Sequence, residues 1–203
     1  YGDHRDLHYP LRRQRQMCIR DSNYISDLIS WSAIGARTVE SQLHRQLVSG
    51  LSMPVGFKNS TNGDLQVAVD AMKSAKYQHV FLGTTKQGKV ALFKTSGNDD
   101  THIIHRGGEK PNYDASDIEQ CISTLAEEKT NMNLMVDFSH GNSQKNHENQ
   151  KIVCKSIAKQ IEKGNKHITG VMIESHLKEG NQKMSENLSL NYIFESRANH
   201  YSK

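Results

Sequence analysis

The feature that most constrains this chain is its alternation: between about residues 31 and 173, short apolar runs take turns with longer stretches whose apolar residues recur at helical spacing. A run too short for a stable helix, followed by an amphipathic helix, is a strand–helix unit. Consecutive units of this kind demand a parallel sheet with helices laid over it, an α/β architecture. The predicted strands are residues 31–36 (WSAIGA), 54–57, 102–105, 134–138 and 168–173. The first predicted helix spans 39–49 and stops at Gly50. The second, 64–76, places Leu65, Ala68, Val69 and Met72 on one face. Ser116 with Glu119 reads as a capping box for a third, whose apolar positions are Ile118, Cys121, Ile122, Leu125 and Ala126. The fourth, 145–163, buries Val153, Ile157 and Ile161 and ends at Gly164. Between the second helix and the third strand, 80–82 and 90–93 flank a turn at 86–88, a hairpin insert that a plain strand–helix repeat does not need.

The two ends break this pattern. Residues 12–22 (RRQRQMCIRDS) fit no apolar period, and their codons read back as a transposase-type sequencing adapter, so 1–22 is treated as a non-native segment. Residues 193–203 (IFESRANHYSK) have no apolar face and read as a divergent tail, frameshifted or chimeric, leaving 23–192 as the folding unit. The formal net charge of +4 shrinks accordingly. Arg5, Arg12, Arg13, Arg15 and Arg20 against Asp3, Asp6 and Asp21, and Arg197 and Lys203 against Glu195, carry most of it, so no nucleic-acid partner is expected. Cys121 and Cys154 both lie on apolar helix faces and read as small buried residues, without a disulfide framework. No apolar run reaches the roughly 18 residues of a membrane span, and a cytoplasmic chain with no membrane partner is expected.

Each predicted strand is followed by a charged or polar residue: Arg37, Lys58, Arg106, His140 and Glu174. In a parallel barrel the C-terminal strand ends open onto one mouth, so these side chains would converge. Three cations suit a small, doubly charged anion, and a His with a Glu suits two ligands of a divalent metal. Taken singly, each is as ordinary as a surface charge or a loop histidine, and periodicity names no reaction.

Five longer motifs are more specific. DLISWSAIGARTVESQLHRQLVSGL from Asp27, PVGFKN at 54–59, IIHRGGEKPNY at 103–113, VDFSHGNSQK at 136–145 and GVMIESHLKEGNQ at 170–182 stand in the order and form of the type I, metal-dependent 3-deoxy-D-arabino-heptulosonate-7-phosphate (DAHP) synthases, which this chain resembles over about 23–192. The resemblance implies a (β/α)8 TIM barrel, incomplete here, with these strands as its fourth to eighth plus the hairpin insert. It implies condensation of phosphoenolpyruvate with erythrose 4-phosphate and water to give DAHP and phosphate, the first step of the shikimate pathway. Arg37 and Arg106, with the backbone N–H of Ala36, would hold the phosphate of phosphoenolpyruvate, and Lys58 would meet its carboxylate. His140 and Glu174 would be two ligands of a divalent metal (manganese, iron, cobalt or zinc), with Lys58, Arg106 and His140 as the catalytic set. The hairpin would help form a pocket for a feedback aromatic amino acid through Ser52, Phe81 and Gly83, and glycine at 83 leaves room for the hydroxyl of tyrosine. The intact enzyme would be a homo-oligomer.

Three departures accompany the resemblance. The family's metal cysteine and its KPRT-type loop belong to strands upstream of residue 23. Its fourth metal ligand, an Asp in an S/T-x-T-D motif, would follow Tyr192, where this chain reads IFESRANH. With two of four ligands, the chain as written is expected to lack turnover. The alternatives are an inactive phosphate-binding barrel fragment, or a related phosphoenolpyruvate-condensing sugar-acid synthase, against which GARTVESQ together with RGGEKPNY argues.

Overall fold

The computed structural model describes residues 28–85 and 87–175, so the expectations for 1–22, for Tyr192 and for 193–203 lie outside the described residues. Its centre is a five-stranded, wholly parallel sheet in the order β1 (Ser32–Ile34), β2 (Val55–Lys58), β5 (Thr101–His105), β6 (Leu134–Asp137) and β7 (Ile168–Met172). The helices α1 (Gln42–Ser49), α2 (Gln66–Lys76), α3 (Ala115–Glu127) and α4 (Gln150–Glu162) fall in the connections. The hairpin β3 (Val80–Thr84) and β4 (Val90–Lys94) pairs antiparallel as a separate two-stranded sheet between α2 and β5.

Side chains alternate across a strand, and the alternation here divides two buried layers. Val55 and Phe57, Ile103, and Leu134 and Val136 join Ala68, Val69, Ile118, Leu125, Val153 and Ile157 of the helices in one core. The intervening residues Gly56, Lys58, His102, Ile104 and Asp137 face the other way and are buried as well. A Cβ on Gly56 would sit 2.7 Å from Ile104 Cγ1 and 2.9 Å from His102 Nε2, so only glycine permits this approach of β2 to β5. Trp31 Nε1 donates to His102 Nε2 (3.2 Å) on the same face.

Four expectations need correction. The third helix is capped by Asp114 with Asp117, not by Ser116 with Glu119: the helix starts at Ala115, so Ser116 is already inside it, and the carboxylate of Asp117 accepts from the Asp114 N–H (3.3 Å). The fourth helix begins at Gln150, not 145. Gln144 and Lys145 have left-handed backbones (φ 52° and 61°), and Asn146 caps a 3-10 turn, His147–Asn149, by accepting from the Glu148 N–H. Ile161 is 47% exposed, because the face of α4 that packs inward continues through Ile157 to Gln160. Cys154 is exposed on α4, one position past the buried Val153, whereas Cys121 is fully buried and burial pushes its thiol up to about 12. No helix among the described residues is long and apolar enough to cross a membrane.

Candidate active site

The chemistry gathers where the parallel strands end. Lys58 closes β2 and Asp137 closes β6, and both point away from the helix-packed core, so alternation alone puts them on one face. Lys58 Nζ lies 2.7 Å from Asp137 Oδ2, with both side chains almost wholly buried. The chain then turns sharply, and His140, in a left-handed conformation (φ 58°), brings Nδ1 to 2.8 Å from the same Oδ2. The other carboxylate oxygen, Oδ1, accepts from the Ser139 N–H (2.9 Å) and from the Ser139 hydroxyl. Burial works to raise the Asp137 pKa, but hydrogen bonds and charge from His140 and Lys58 outweigh it and hold the carboxyl well below the usual range. The far side of the imidazole, Nε2, is 3.6 Å from Glu174 Oε1. Glu174 is aligned by Gln150, the first residue of α4, whose side-chain amide donates to the Glu174 carbonyl (2.9 Å) and accepts from its N–H (3.3 Å).

Three asparagines knit the loops after β2, β5 and β6. Asn59 Oδ1 accepts from the Arg106 N–H (2.9 Å), and its Nδ2 donates to the Gly107 carbonyl (2.9 Å). Asn112 Oδ1 accepts from the Gly107 N–H (2.8 Å), and its backbone N–H donates to Asn142 Oδ1 (2.8 Å). Asn142 Nδ2 donates to the carbonyls of Asp137 (2.9 Å) and His105 (3.2 Å). Gly107 (φ 71°) lies so close to the next loop that a Cβ there would be 2.5 Å from the Asn142 nitrogen. His105 is held by its Nδ1 to the Asn112 carbonyl (2.7 Å), and burial pushes its pKa down. The three asparagine side chains, satisfied in this way, give the loops one arrangement.

Of the residues expected at the site, the structure therefore joins Lys58, His140 and Glu174, through Asp137. Arg106 stands beside them on the asparagine lattice, its guanidinium 3.3 Å from the Gly107 carbonyl. Ala36 and Arg37 lie in the turn after β1; Arg37 is exposed rather than drawn into the contacts around Asp137. Asp137, Asn59, Asn112, Asn142 and Gln150 were missed. Asp137 is a charge ending an apolar strand, the same signal that marks Lys58.

The three residues expected in a regulatory pocket occupy two places. Ser52 helps line a cleft of about 460 Å³ with Ile29, Ser30, Gly50, Leu51 and Met53. Phe81 and Gly83 sit in the hairpin, where Phe81 stacks on Phe93 (centroids 5.9 Å). The hairpin base reaches α1 through Thr95, whose hydroxyl is 2.8 Å from Ser49 Oγ, three residues before Ser52.

No group of three or more His, Cys, Asp or Glu able to hold a metal occurs among the described residues. The two candidate ligands nevertheless suit a divalent cation. An imidazole nitrogen and a carboxylate oxygen face each other, and the second imidazole nitrogen is held by a buried carboxylate, the arrangement that fixes a metal-binding histidine in other proteins.

A profile described as the DAHP synthetase I family matches residues 17–202. The Trp-sensitive phospho-2-dehydro-3-deoxyheptonate aldolase of Shigella flexneri is 52% identical over 169 residues, which cover 83% of this chain and 49% of that protein. The Tyr-sensitive enzyme of Escherichia coli K12 is 53% identical over 159 residues, 78% of this chain and 45% of that one. A solved phospho-2-dehydro-3-deoxyheptonate aldolase from Francisella tularensis superposes with a TM-score of 0.77 at 53% identity, covering 83% of this chain and 50% of the other. The chain spans about half the length of the curated relatives it matches. With five motifs in order, a parallel sheet that superposes on that of a relative, and a profile match over most of its length, the chain belongs to the DAHP synthetase I family.

Proposed function

We propose that this chain carries the phosphoenolpyruvate-binding and part of the metal-binding half of an enzyme that condenses phosphoenolpyruvate with erythrose 4-phosphate and water to DAHP and phosphate. The observation that carries the reading is the run Lys58–Asp137–His140–Glu174 at the C-terminal edge of a parallel sheet, buried at Lys58 and Asp137 and half-buried at His140 and Glu174. That edge is where parallel α/β enzymes place their chemistry. A (β/α)8 barrel is the architecture we infer, with these five strands as its fourth to eighth. In support, the face turned away from the helices is buried like the one they cover, as the inside of a closed barrel would be.

In this reading the Lys58 ammonium meets the substrate carboxylate and the Arg106 guanidinium takes two phosphate oxygens, oriented by the Asn59–Asn112 lattice; Arg37 and the Ala36 N–H complete the cradle. Fixing one reactant in this way supplies a large part of catalysis by positioning alone. His140 Nε2 and Glu174 would hold a divalent cation of the manganese, iron, cobalt or zinc kind, which when bound supplies Lewis-acid polarisation of an aldehyde oxygen. Low exposure around Lys58 and Asp137 keeps water from competing with these contacts. We place the enzyme in the cytoplasm as a homo-oligomer, with a feedback aromatic amino acid bound near Ser52, Phe81 and Gly83, and tyrosine preferred.

The test is steady-state phosphate release by the chain completed to full length from its Francisella relative. His140→Ala abolishes turnover, whereas His147→Ala, on the turn before α4, changes kcat less than twofold. Arg106→Lys raises KM for phosphoenolpyruvate, because lysine lacks the planar fork that binds two oxygens. Equal losses at 140 and 147, or an unchanged KM, would refute the assignments. Tyrosine inhibits more strongly than phenylalanine, and Gly83→Ser shifts the preference toward phenylalanine; the reverse order in the unsubstituted enzyme removes the pocket assignment.

A further inference from the structure

With Lys58 proposed to meet an anion and His140 a metal, the buried carboxylate that both of them touch has no role. Asp137 is fully buried, and its Oδ2 is 2.7 Å from Lys58 Nζ and 2.8 Å from His140 Nδ1. Its Oδ1 is saturated by the Ser139 N–H and hydroxyl, so the carboxylate cannot rotate away without losing donors. A carboxylate is an acceptor, so the imidazole nitrogen within hydrogen-bond reach of one carries the proton and donates: Nδ1 is 2.8 Å from Asp137 Oδ2, whereas Nε2, 3.6 Å from Glu174 Oε1, lies beyond that reach. Nδ1–H toward Asp137 leaves Nε2 as the lone-pair nitrogen, and Nε2 is the atom turned toward Glu174.

We propose that Asp137 is a positioning residue for the metal centre: it fixes the tautomer in which His140 offers Nε2 to a divalent cation, and Lys58 competes with His140 for the same oxygen. The inference rests on His140 and Glu174 being ligands. A carboxylate there merely to neutralise a buried lysine would hold no preference about the imidazole. One that orients the imidazole makes the two neighbours of Oδ2 unlike. Removing the carboxylate then weakens metal binding, whereas removing Lys58 leaves the whole of Oδ2 to His140 and does not.

The experiment uses the 203-residue chain, labelled with ¹⁵N, and two readouts. Ring ¹H–¹⁵N correlations report the His140 tautomer without metal, and titration with zinc alone reports affinity. The unsubstituted chain shows the Nδ1–H form. In Asp137→Asn that form declines and zinc binds about 10–100-fold more weakly, the usual consequence of losing such a partner. In Lys58→Met the tautomer persists and zinc binds at least as tightly. An Nε2–H histidine in the unsubstituted chain overturns the proposal, as does a parallel loss of affinity in both variants. Should Asp137→Asn fail to fold, the tautomers of the unsubstituted and Lys58→Met chains decide the matter. An Nδ1–H histidine that binds no zinc supports the orienting role and refutes instead the assignment of His140 and Glu174 as ligands.

Discussion

Two β-structures in this molecule obey different rules. β2 and β5 are buried along their whole length, on the face the helices cover and on the opposite one alike. The hairpin β3–β4 alternates instead: Phe81, Gly83, Ala91 and Phe93 are half-covered, while Val80, Leu82, Val90 and Leu92 are 56–77% exposed. A parallel strand between covered faces has no room to change, whereas a hairpin supplies its own hydrogen bonds and leaves its outward side chains without a layer to join. The lesson is that apolar content marks a strand, but only the layers around it say what each side chain is worth.

The largest break in that comparison is expected from truncating one apolar side chain in each region. Phe57→Ala, at a position with no exposure, costs about 3–5 kcal/mol in urea unfolding; Leu82→Ser, 73% exposed, stays within about 0.5 kcal/mol. Comparable losses would mean that the hairpin face is packed in solution.

Acid sharpens the contrast next. Burial pushes the His102 pKa from 6.5 to about 4, and its Nε2 already accepts from Trp31. The unfolded chain therefore binds the proton more readily, and the stabilising contribution, full above pH 6.5, is lost as pH falls toward 4. We expect a loss of about 2–3 kcal/mol across that window, followed through the single tryptophan, with the burial-depressed His105 adding in the same direction. His102→Gln should flatten much of it, and an unchanged slope would remove His102 as the cause.

A smaller effect comes from adding one methyl to a glycine in each region. Gly56→Ala forces a Cβ against Ile104 and His102 and costs about 1–3 kcal/mol. Gly83→Ala meets the Phe93 ring at 2.9 Å, but that ring lies in the hairpin and can give, so a change of about 0.5 kcal/mol or less is expected. Equal melting shifts would show the hairpin to be as tightly held as the sheet. The smallest effect is chemical: iodoacetamide labels Cys154 in the folded chain and spares Cys121, whose thiol is buried and pushed up to about 12.

Most of the sheet was legible because each strand announced itself as an apolar run and each helix as one apolar face. The misreadings share a cause. Where Asp114 replaced Ser116 as the cap, and where α4 started late, the deciding events were backbone turns at 144 and 145 and a donor reaching one residue rather than another. Such events leave little trace in hydrophobic spacing. The site was half legible for a related reason. Lys58, His140 and Glu174 end a strand or follow one closely and stand out by residue type, but Asn59, Asn112 and Asn142 act through groups of other loops, and nothing in their neighbours' identities points across a separation of 30 or more positions.

The left-handed backbone of His140 has a further consequence. Together with Gln144 and Lys145 it makes three non-glycine residues in a conformation that side chains disfavour, by roughly 1–2 kcal/mol each, within one short loop. Selection for durability alone would fill such positions with glycine, and at 140 that would erase the imidazole along with the strain. A laboratory screen for heat resistance that ignored turnover would therefore be expected to collect glycines in this loop and to return sturdier proteins without the His140 imidazole, the trade between stability and activity written into six consecutive residues.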